Sequence, residues 1–383
     1  MKLKIPAILF LFISILACSK KETSDSKIFS NEWELVILDS IQIPTLERLE
    51  LMAVHSEKDI LLFSVSGQNN PLIIASGQGV VLNRLDVPED SPTGFGGICS
   101  SAIFMGDTIV IQGSRGIYFY DLEFQFLSGF KRPYSPKGMI YMGFDHLKSS
   151  MTFLGPALVS FAGNPQTEYP PSDKLHYEEY NALDLIPLNN MDFQPILPLD
   201  SKSRFIQSGE AFNFIALSFD LNESKLTYAH QLDTILFDVD LMDPNLTQRP
   251  VGIPFDEFIM TKGFPYGGRQ DYDAPTDLPG NINSIFKVND MDLILYTSGL
   301  RLENFPPQEL ERSRYGKNID QLNPQKWMVR TNQIKFSQPK LSSKNYRIVR
   351  VDSQNRIWAM QNVNELNEEP EVVTVYQLQL VKK

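Results

Sequence analysis

Histidine and cysteine are scarce in this chain, grouped basic residues are absent, and no apolar run is long enough to span a bilayer. The four histidines (His55, His146, His176 and His230) stand far apart in sequence, and none forms a His-x-His or His-Glu-x-x-His pattern. A zinc site therefore has no sequence support. No Gly-x-Ser-x-Gly elbow, Gly-x-Gly-x-x-Gly turn or Walker-type loop occurs, which removes the signatures of a nucleophilic serine, a dinucleotide site and a phosphate cradle. Lys and Arg number 35 against 46 Asp and Glu, a net charge of −11. Without a basic stripe to neutralise phosphates, nucleic acid is not an expected partner. No cofactor or metal is expected either.

The two cysteines are Cys18 and Cys99. The first closes an export-like leader: Lys2 and Lys4, an apolar stretch from Ile5 to Ala17, then Cys18. A positive start, an apolar run of about 13 residues and a small residue before the junction describe a secretory signal peptide. The run is shorter than the roughly 20 residues of a spanning helix. Ile15-Leu16-Ala17-Cys18 resembles a bacterial lipobox, in which the cysteine is acylated and becomes the new N-terminus. That resemblance implies a signal peptide over 1–17 and lipidation at Cys18. Ser19, rather than Asp, follows the cysteine, which under the familiar sorting rule directs the protein to the outer membrane. Residues 18–30 are polar and aperiodic, as a flexible tether would be. With Lys2 and Lys4 removed, 33 basic residues face 46 acidic ones, a charge of −13. Cys99 is then left without a disulfide partner and reads as a small buried strand residue, with no neighbouring base or cation to make a reactive thiolate.

From residue 31 to 383 the chain reads as one all-β domain. Short runs of β-branched and aromatic residues recur at 32–38, 59–65, 71–75, 106–113, 116–122, 212–217, 234–237, 292–296, 346–350, 356–360 and 372–378, separated by turn residues. Such density with almost no helical periodicity points to a propeller, sandwich or barrel. The stretch 106–130 favours the propeller: strand, Gly-Ser-Arg-Gly turn, strand, then a third short run, read as the inner three strands of a blade. Asp352-Ser353-Gln354-Asn355 before an aromatic strand repeats its opening. Six blades fit the length best, and seven are allowed. Trp33, Leu35 and Ile37 alternate, as do Thr374, Tyr376, Leu378 and Leu380, so the N-terminal strand is expected to pair into the last blade and close the ring. Three polar, Pro-rich stretches, 165–190, 243–280 and 303–326, read as long connections, with a short helix near 307–314.

Lipobox, polar tether and degenerate blades together resemble the six-bladed, TolB-like propeller lipoproteins of the Bacteroidota. The resemblance implies fold and compartment, and it carries no catalytic residues to transfer.

Chemistry is faint. Asp271-Tyr272-Asp273 with Asp277, and Asp238 with Asp240 and Asp243, have partial calcium-loop spacing but lack the Gly and Glu that an EF-hand loop needs, so solvated turns are the simpler account. The Gly-rich segment 263–272 gathers Tyr266, Arg269, Asp271 and Tyr272, the mixture expected of a recognition edge for a sugar or a peptide. Two functions are weighed. One is a non-catalytic binding or scaffold lipoprotein for an envelope protein, peptide or glycan, touching the membrane only through its lipid. The other is an envelope glycan lyase or hydrolase with its site in the central channel. The fold alone does not choose between them; converging acids, His or Arg in the channel would favour chemistry there.

Overall fold

The computed structural model describes residues 32–66, 71–86, 91–96, 99–113, 115–133, 151–161, 167–212, 215–270, 277–304, 322–338, 340–341, 346–362 and 371–383. The proposed leader, Cys18 and the tether up to residue 30 therefore lie outside the described residues, as do His146 and the helix expected near 307–314. Among the described residues no helix is long and apolar enough to cross a membrane.

The domain is a six-bladed β-propeller. Blade 1 comprises β2 (Leu49–His55), β3 (Ile60–Val65), β4 (Leu72–Ser76) and β5 (Val81–Leu85). Blade 2 comprises β6 (Cys99–Met105), β7 (Thr108–Gly113), β8 (Gly116–Tyr120) and β9 (Phe126–Lys131). Blade 3 holds β10 (Met151–Leu154), β11 (Ala157–Ser160), β12 (Asn181–Pro187) and β13 (Gln194–Pro198). Blade 4 holds β14 (Leu217–Asn222), β15 (Lys225–His230), β16 (Ile235–Asp240) and β17 (Arg249–Gly252). Blade 5 holds β18 (Asn281–Val288), β19 (Met291–Thr297), β20 (Lys326–Arg330) and β21 (Phe336–Ser337). Blade 6 has five strands in the order β22 (Lys340–Leu341), β1 (Trp33–Pro44), β25 (Val372–Lys382), β24 (Ile357–Gln361) and β23 (Tyr346–Val351). Two short helices, α1 (Lys174–Glu178) and α2 (Arg204–Gln207), sit in connections and are N-capped by Asp173 and Ser203.

The middle strands explain why a continuous apolar run folds this way. In β3, Ile60 and Leu62 join a core shared with blade 2, while Leu61 and Phe63 join a core shared with blade 6. Successive strand side chains point to opposite faces, and here both faces are covered by neighbouring blades. Six such cores lie between successive blades and close the ring. Outer strands such as β5 and β9 have no neighbour on one side and carry mostly exposed residues.

Closure occurs as expected: β1 runs antiparallel to β25 from Trp33↔Lys382 to Pro44↔Val372. One detail of the alternation is corrected. The register shifts between Ile37 and Asp39, so Leu35 faces the blade 5–6 core while Ile43, of the same parity, faces the blade 6–1 core. An extra residue flips the face of everything after it, and Ile37 and Leu38 at the bulge are exposed.

Three further expectations change. Residues 106–130 are the second to fourth strands of blade 2, and the inner strand is β6. Its small polar residues Ser100 and Ser101 hide the apolar alternation. The expected strand at 212–217 begins only at Leu217; Phe212, Ile215 and Ala216 are buried before it. The stretch 165–190, read as strand-poor, contains β12 as well as α1, and 243–280 contains β17.

Candidate functional site

The innermost strands β2, β6, β10, β14, β18 and β23 surround the channel. Four of them carry a register shift: β2 at Leu51/Ala53, β6 at Cys99/Ser101, β18 at Ile282/Ser284 and β23 at Ile348/Arg350. A bulge leaves one residue outside the ladder and re-aims the next side chain. In β23 it places Val349 in the blade 6–1 core and sends Arg350 to the channel. In β2 it strands the carbonyl of Met52, which accepts a hydrogen bond from Arg350 Nη2; the same nitrogen donates to Ala102 O at 3.2 Å. The β18 bulge is satisfied likewise: Ser218 Oγ donates to Ile282 O at 3.0 Å and Asn283 O at 3.1 Å.

At the end of the channel where β2, β6 and β23 turn into their hairpins lies a cavity of ≈ 310 Å³. All six inner strands contribute to its wall, with apolar surface from Phe104, Met151 and Phe286 and charge from Asp220 and Arg350. Asp220 and Arg350 reach the channel because their strands are innermost and, for Arg350, because the β23 bulge re-aims it; Arg347 on the same strand instead pairs with Glu50 at 2.6 Å. Asp220 accepts from the backbone N–H of Leu221 (2.8 Å) and of Lys287 (2.8 Å). Burial nevertheless pushes its carboxyl up to about 6, against the downward pull of those two N–H groups, Arg350 and Lys287. Burial also brings the Arg350 guanidinium down to about 10, partly offset by Asp220. Arg350 Nε has no hydrogen-bond partner, and Nη1 donates to no described residue.

At the cavity rim, His55 packs its ring 5.2 Å from Phe104. Its Nδ1 accepts from the Lys58 backbone N–H at 3.4 Å, which leaves the proton on Nε2, 3.6 Å from Asp107 Oδ1. Lys58 Nζ holds the same Asp107 oxygen at 2.7 Å and draws that carboxyl below its ordinary range. Asp352, also on the rim, is spent on its own turn: it accepts from the backbone of Gln354 and Arg356, from Arg356 Nε at 2.7 Å and from Trp358 Nε1 at 2.9 Å.

The recognition segment suggested by the sequence is elsewhere. It belongs to the connection from β17 to β18, which reaches the start of an inner strand and so lies on the face opposite the hairpins. Tyr266 is half-buried against Tyr177, with ring centroids 5.8 Å apart, and Gly267 N donates to Ser172 O at 2.8 Å. Arg269 is exposed, and Asp271 and Tyr272 lie outside the described residues. Of the calcium-like spacings, Asp240 and Asp243 are turn residues accepting from Met242 and Asn245 backbone N–H groups. Asp238 is instead ion-paired with Arg330 at 2.6 Å. Of the other set, Asp271 and Asp273 are outside the described residues, and Asp277 is exposed, 3.9 Å from Arg301. Among the described residues no group of three or more His, Cys, Asp or Glu is arranged to hold a metal. Cys99 is buried and free, its thiol pushed up to about 12 by burial.

Arg350 and Asp220 escaped the sequence reading, although each interrupts apolar neighbours (Ile348-Val349-Arg350-Val351 and Phe219-Asp220-Leu221). That signal identifies a channel residue only once the strand is known to be innermost.

No family model and no curated protein matches the sequence. Solved structures do. A member of the DUF4221 family from Bacteroides vulgatus superposes with a TM-score of 0.61 at 12% identity, covering 92% of this chain and 99% of the other. A protein of Bacteroides fragilis named as a candidate exported protein superposes with a TM-score of 0.52 at 11% identity, covering 93% and 97%. At these identities the likeness establishes the fold.

Proposed function

We propose that the chain is a ligand-binding propeller of the bacterial cell envelope, with a signal peptide over 1–17, a lipidated Cys18 and tether over 18–30, and a propeller over 31–383. On this reading the protein recognises a glycan or a peptide, free or displayed on an envelope partner, through the cavity at the hairpin end of its channel. The observation that carries the binding role is Arg350: a half-buried guanidinium lining a cavity walled by all six blades, whose Nη1 donates to no described residue. A guanidinium N–H that opens onto a cavity and is not spent on protein acceptors is a donor that a ligand can use. The envelope location rests on the leader, the lipobox-like junction and the candidate exported neighbour. The loop with Tyr266 and Arg269, on the opposite face, serves in this proposal as a contact for a carrier protein. Losing no partner on Tyr266→Ala with Arg269→Ala would remove that part.

The test of location is metabolic labelling with an alkyne fatty acid in a bacterial host. Label is expected on the wild type and absent from Cys18→Ser; label on both, or on neither, overturns the anchor. The test of binding is thermal-shift screening of envelope glycans and peptides against the wild type and Thr152→Trp, whose indole fills the cavity. Ligands that shift the wild type should not shift the variant.

A second reading, a glycan lyase or hydrolase, is favoured by one feature: a carboxyl in the cavity that burial raises to about 6, the range in which a general acid works near neutral pH. Hydrolysis in the usual way needs a second carboxylate about 5–9.5 Å away; Asp352 is committed to its turn, and Glu57 stands exposed on the β2–β3 hairpin. Polysaccharide turnover abolished by Asp220→Asn would establish this reading over the first.

A further inference from the structure

The cavity's charge pattern says more about the ligand than that it is small. Among the described residues Arg350 is the one guanidinium lining it, held by two main-chain carbonyls that lend no formal charge. Its ionic compensation is Asp220, a carboxyl with its own two backbone N–H donors, strained by burial toward its neutral form. Arg350 and Asp220 attract each other without a direct hydrogen bond, since each spends its bonds on main-chain groups, and the guanidinium is left open to an incoming anion. A cationic ligand would meet Arg350 unscreened, and a neutral one would leave the guanidinium as it stands.

We propose that the cavity binds a small ligand bearing a carboxylate, whose oxygens accept from Arg350 Nη1 while its body lies against Phe104, Met151 and Phe286. This rests on the cavity being the binding site. Arg–carboxylate contacts are charge-assisted and carry geometric selectivity. The volume is at the small end of ligand pockets, about 300–1,000 Å³, which limits the bound portion to a single acidic sugar, an aromatic or aliphatic acid, or the terminal residue of a peptide.

Binding of the anion is coupled to a proton. With the ligand's charge on Arg350, Asp220 takes up a proton from solvent and becomes a donor to the ligand, so the cavity's net charge is conserved. The groups around Asp220 are few. β23 brings Arg350 and β18 brings Lys287, whose ammonium is already 2.6 Å from Asp292. β2 contributes His55, the β2–β3 hairpin the exposed Glu57, and the β23–β24 hairpin Asp352, already held by Arg356 Nε at 2.7 Å, while β6 and β10 present Ile103, Phe104, Met151 and Thr152, none ionisable. Asp220 is therefore the group in position to titrate with the ligand.

The test is calorimetry on the full mature chain with benzoate and glucuronate against benzyl alcohol and glucose, from pH 8 to pH 5. The carboxylate probes should bind saturably and tighten about tenfold per pH unit down to pH 6, then level off, as uptake of one proton requires. Arg350→Gln should lose at least about tenfold for the carboxylates, and Asp220→Asn should flatten the pH profile. If Arg350→Gln does not fold, the Asp220→Asn profile tests the same pairing. Neutral probes binding as well as their acids, with Thr152→Trp abolishing both, would overturn the carboxylate and leave the cavity reading intact. Binding that survives Thr152→Trp, or no binding by any probe, would overturn both.

Discussion

Two charged clusters lie within this propeller, built from the same residue types, and they end differently. Between blades 4 and 5, Arg330 donates through all three of its nitrogens: Nε to Asp292 at 2.6 Å, Nη1 to Asp238 at 2.8 Å, and Nη2 to Asp238 at 2.6 Å and Thr227 at 3.1 Å. Lys287 completes it, 2.6 Å from both Thr227 Oγ1 and Asp292 Oδ1. In the channel, Arg350 donates through one nitrogen, to carbonyls, and Asp220 is satisfied by backbone. The first cluster is saturated and ties two blades together; the second is unfinished and faces a cavity. The proton affinities follow suit. Burial raises Asp238, but Arg330 outweighs it and holds that carboxyl below its ordinary range, while Asp220 is raised to about 6.

Breaking the saturated cluster should have the largest effect. Arg330→Met leaves Asp238 and Asp292 facing each other's blades without their main counter-ion, and removal of one partner from a buried pair costs about 3–5 kcal/mol. Urea unfolding at pH 7 measures it. Because Asp238 is depressed in the folded state, its contribution is present above its ordinary pKa of about 4 and is lost as the pH falls further, so the penalty should shrink in acid. A penalty unchanged at pH 3 would show that packing, and not charge, carries the effect.

Thr227→Val removes the hydroxyl shared by Arg330, Lys287 and Asp238 but leaves the ions paired. It should cost about 1–2 kcal/mol in the same assay. Arg350→Gln should cost about 1 kcal/mol, since two main-chain acceptors lose a donor while a buried charge disappears; a cost equal to that of Arg330→Met would mean the channel cluster is structural after all.

The pH response sharpens the contrast without a mutation. Asp220 is raised in the folded state, so its ionised form costs stability above about pH 6, and that cost falls away on acidification toward pH 4. Carboxyl carbon NMR should show Asp220 titrating near 6 and Asp238 below its ordinary value, so the two clusters respond to acid with opposite sign. A single low midpoint for both would remove the distinction. The smallest effect concerns Cys99, whose buried thiol on β6 should resist a disulfide reagent in the native protein and react on unfolding; it should stay protected in Arg350→Gln if the channel wall is intact.

Much of the architecture was legible before any coordinates. Apolar runs such as 59–65 and 372–378 become β3 and β25 because a strand covered on both faces needs apolar residues at both parities, and that pattern survives in one dimension. The complementarity of 32–38 with 372–378 gave the ring closure for the same reason. Strands with small or polar residues, β6 and β12 among them, were hidden, since their hydrophobic signal is diluted where they approach the channel or a connection.

The site was not legible in this way. Tyr266 and Arg269 drew notice through composition, yet composition does not say which side chains pack inward, and Tyr266 spends its ring on Tyr177. What the sequence by itself determined is an all-β chain of short strands that closes on itself, because alternation and turn chemistry act over neighbouring residues. Which strand is innermost, where a bulge turns Arg350 into the channel, and that Asp220, 130 positions earlier in the chain, shares its cavity were decided only by tertiary structure. Those relations depend on contacts between blades distant in sequence, and no local pattern encodes them.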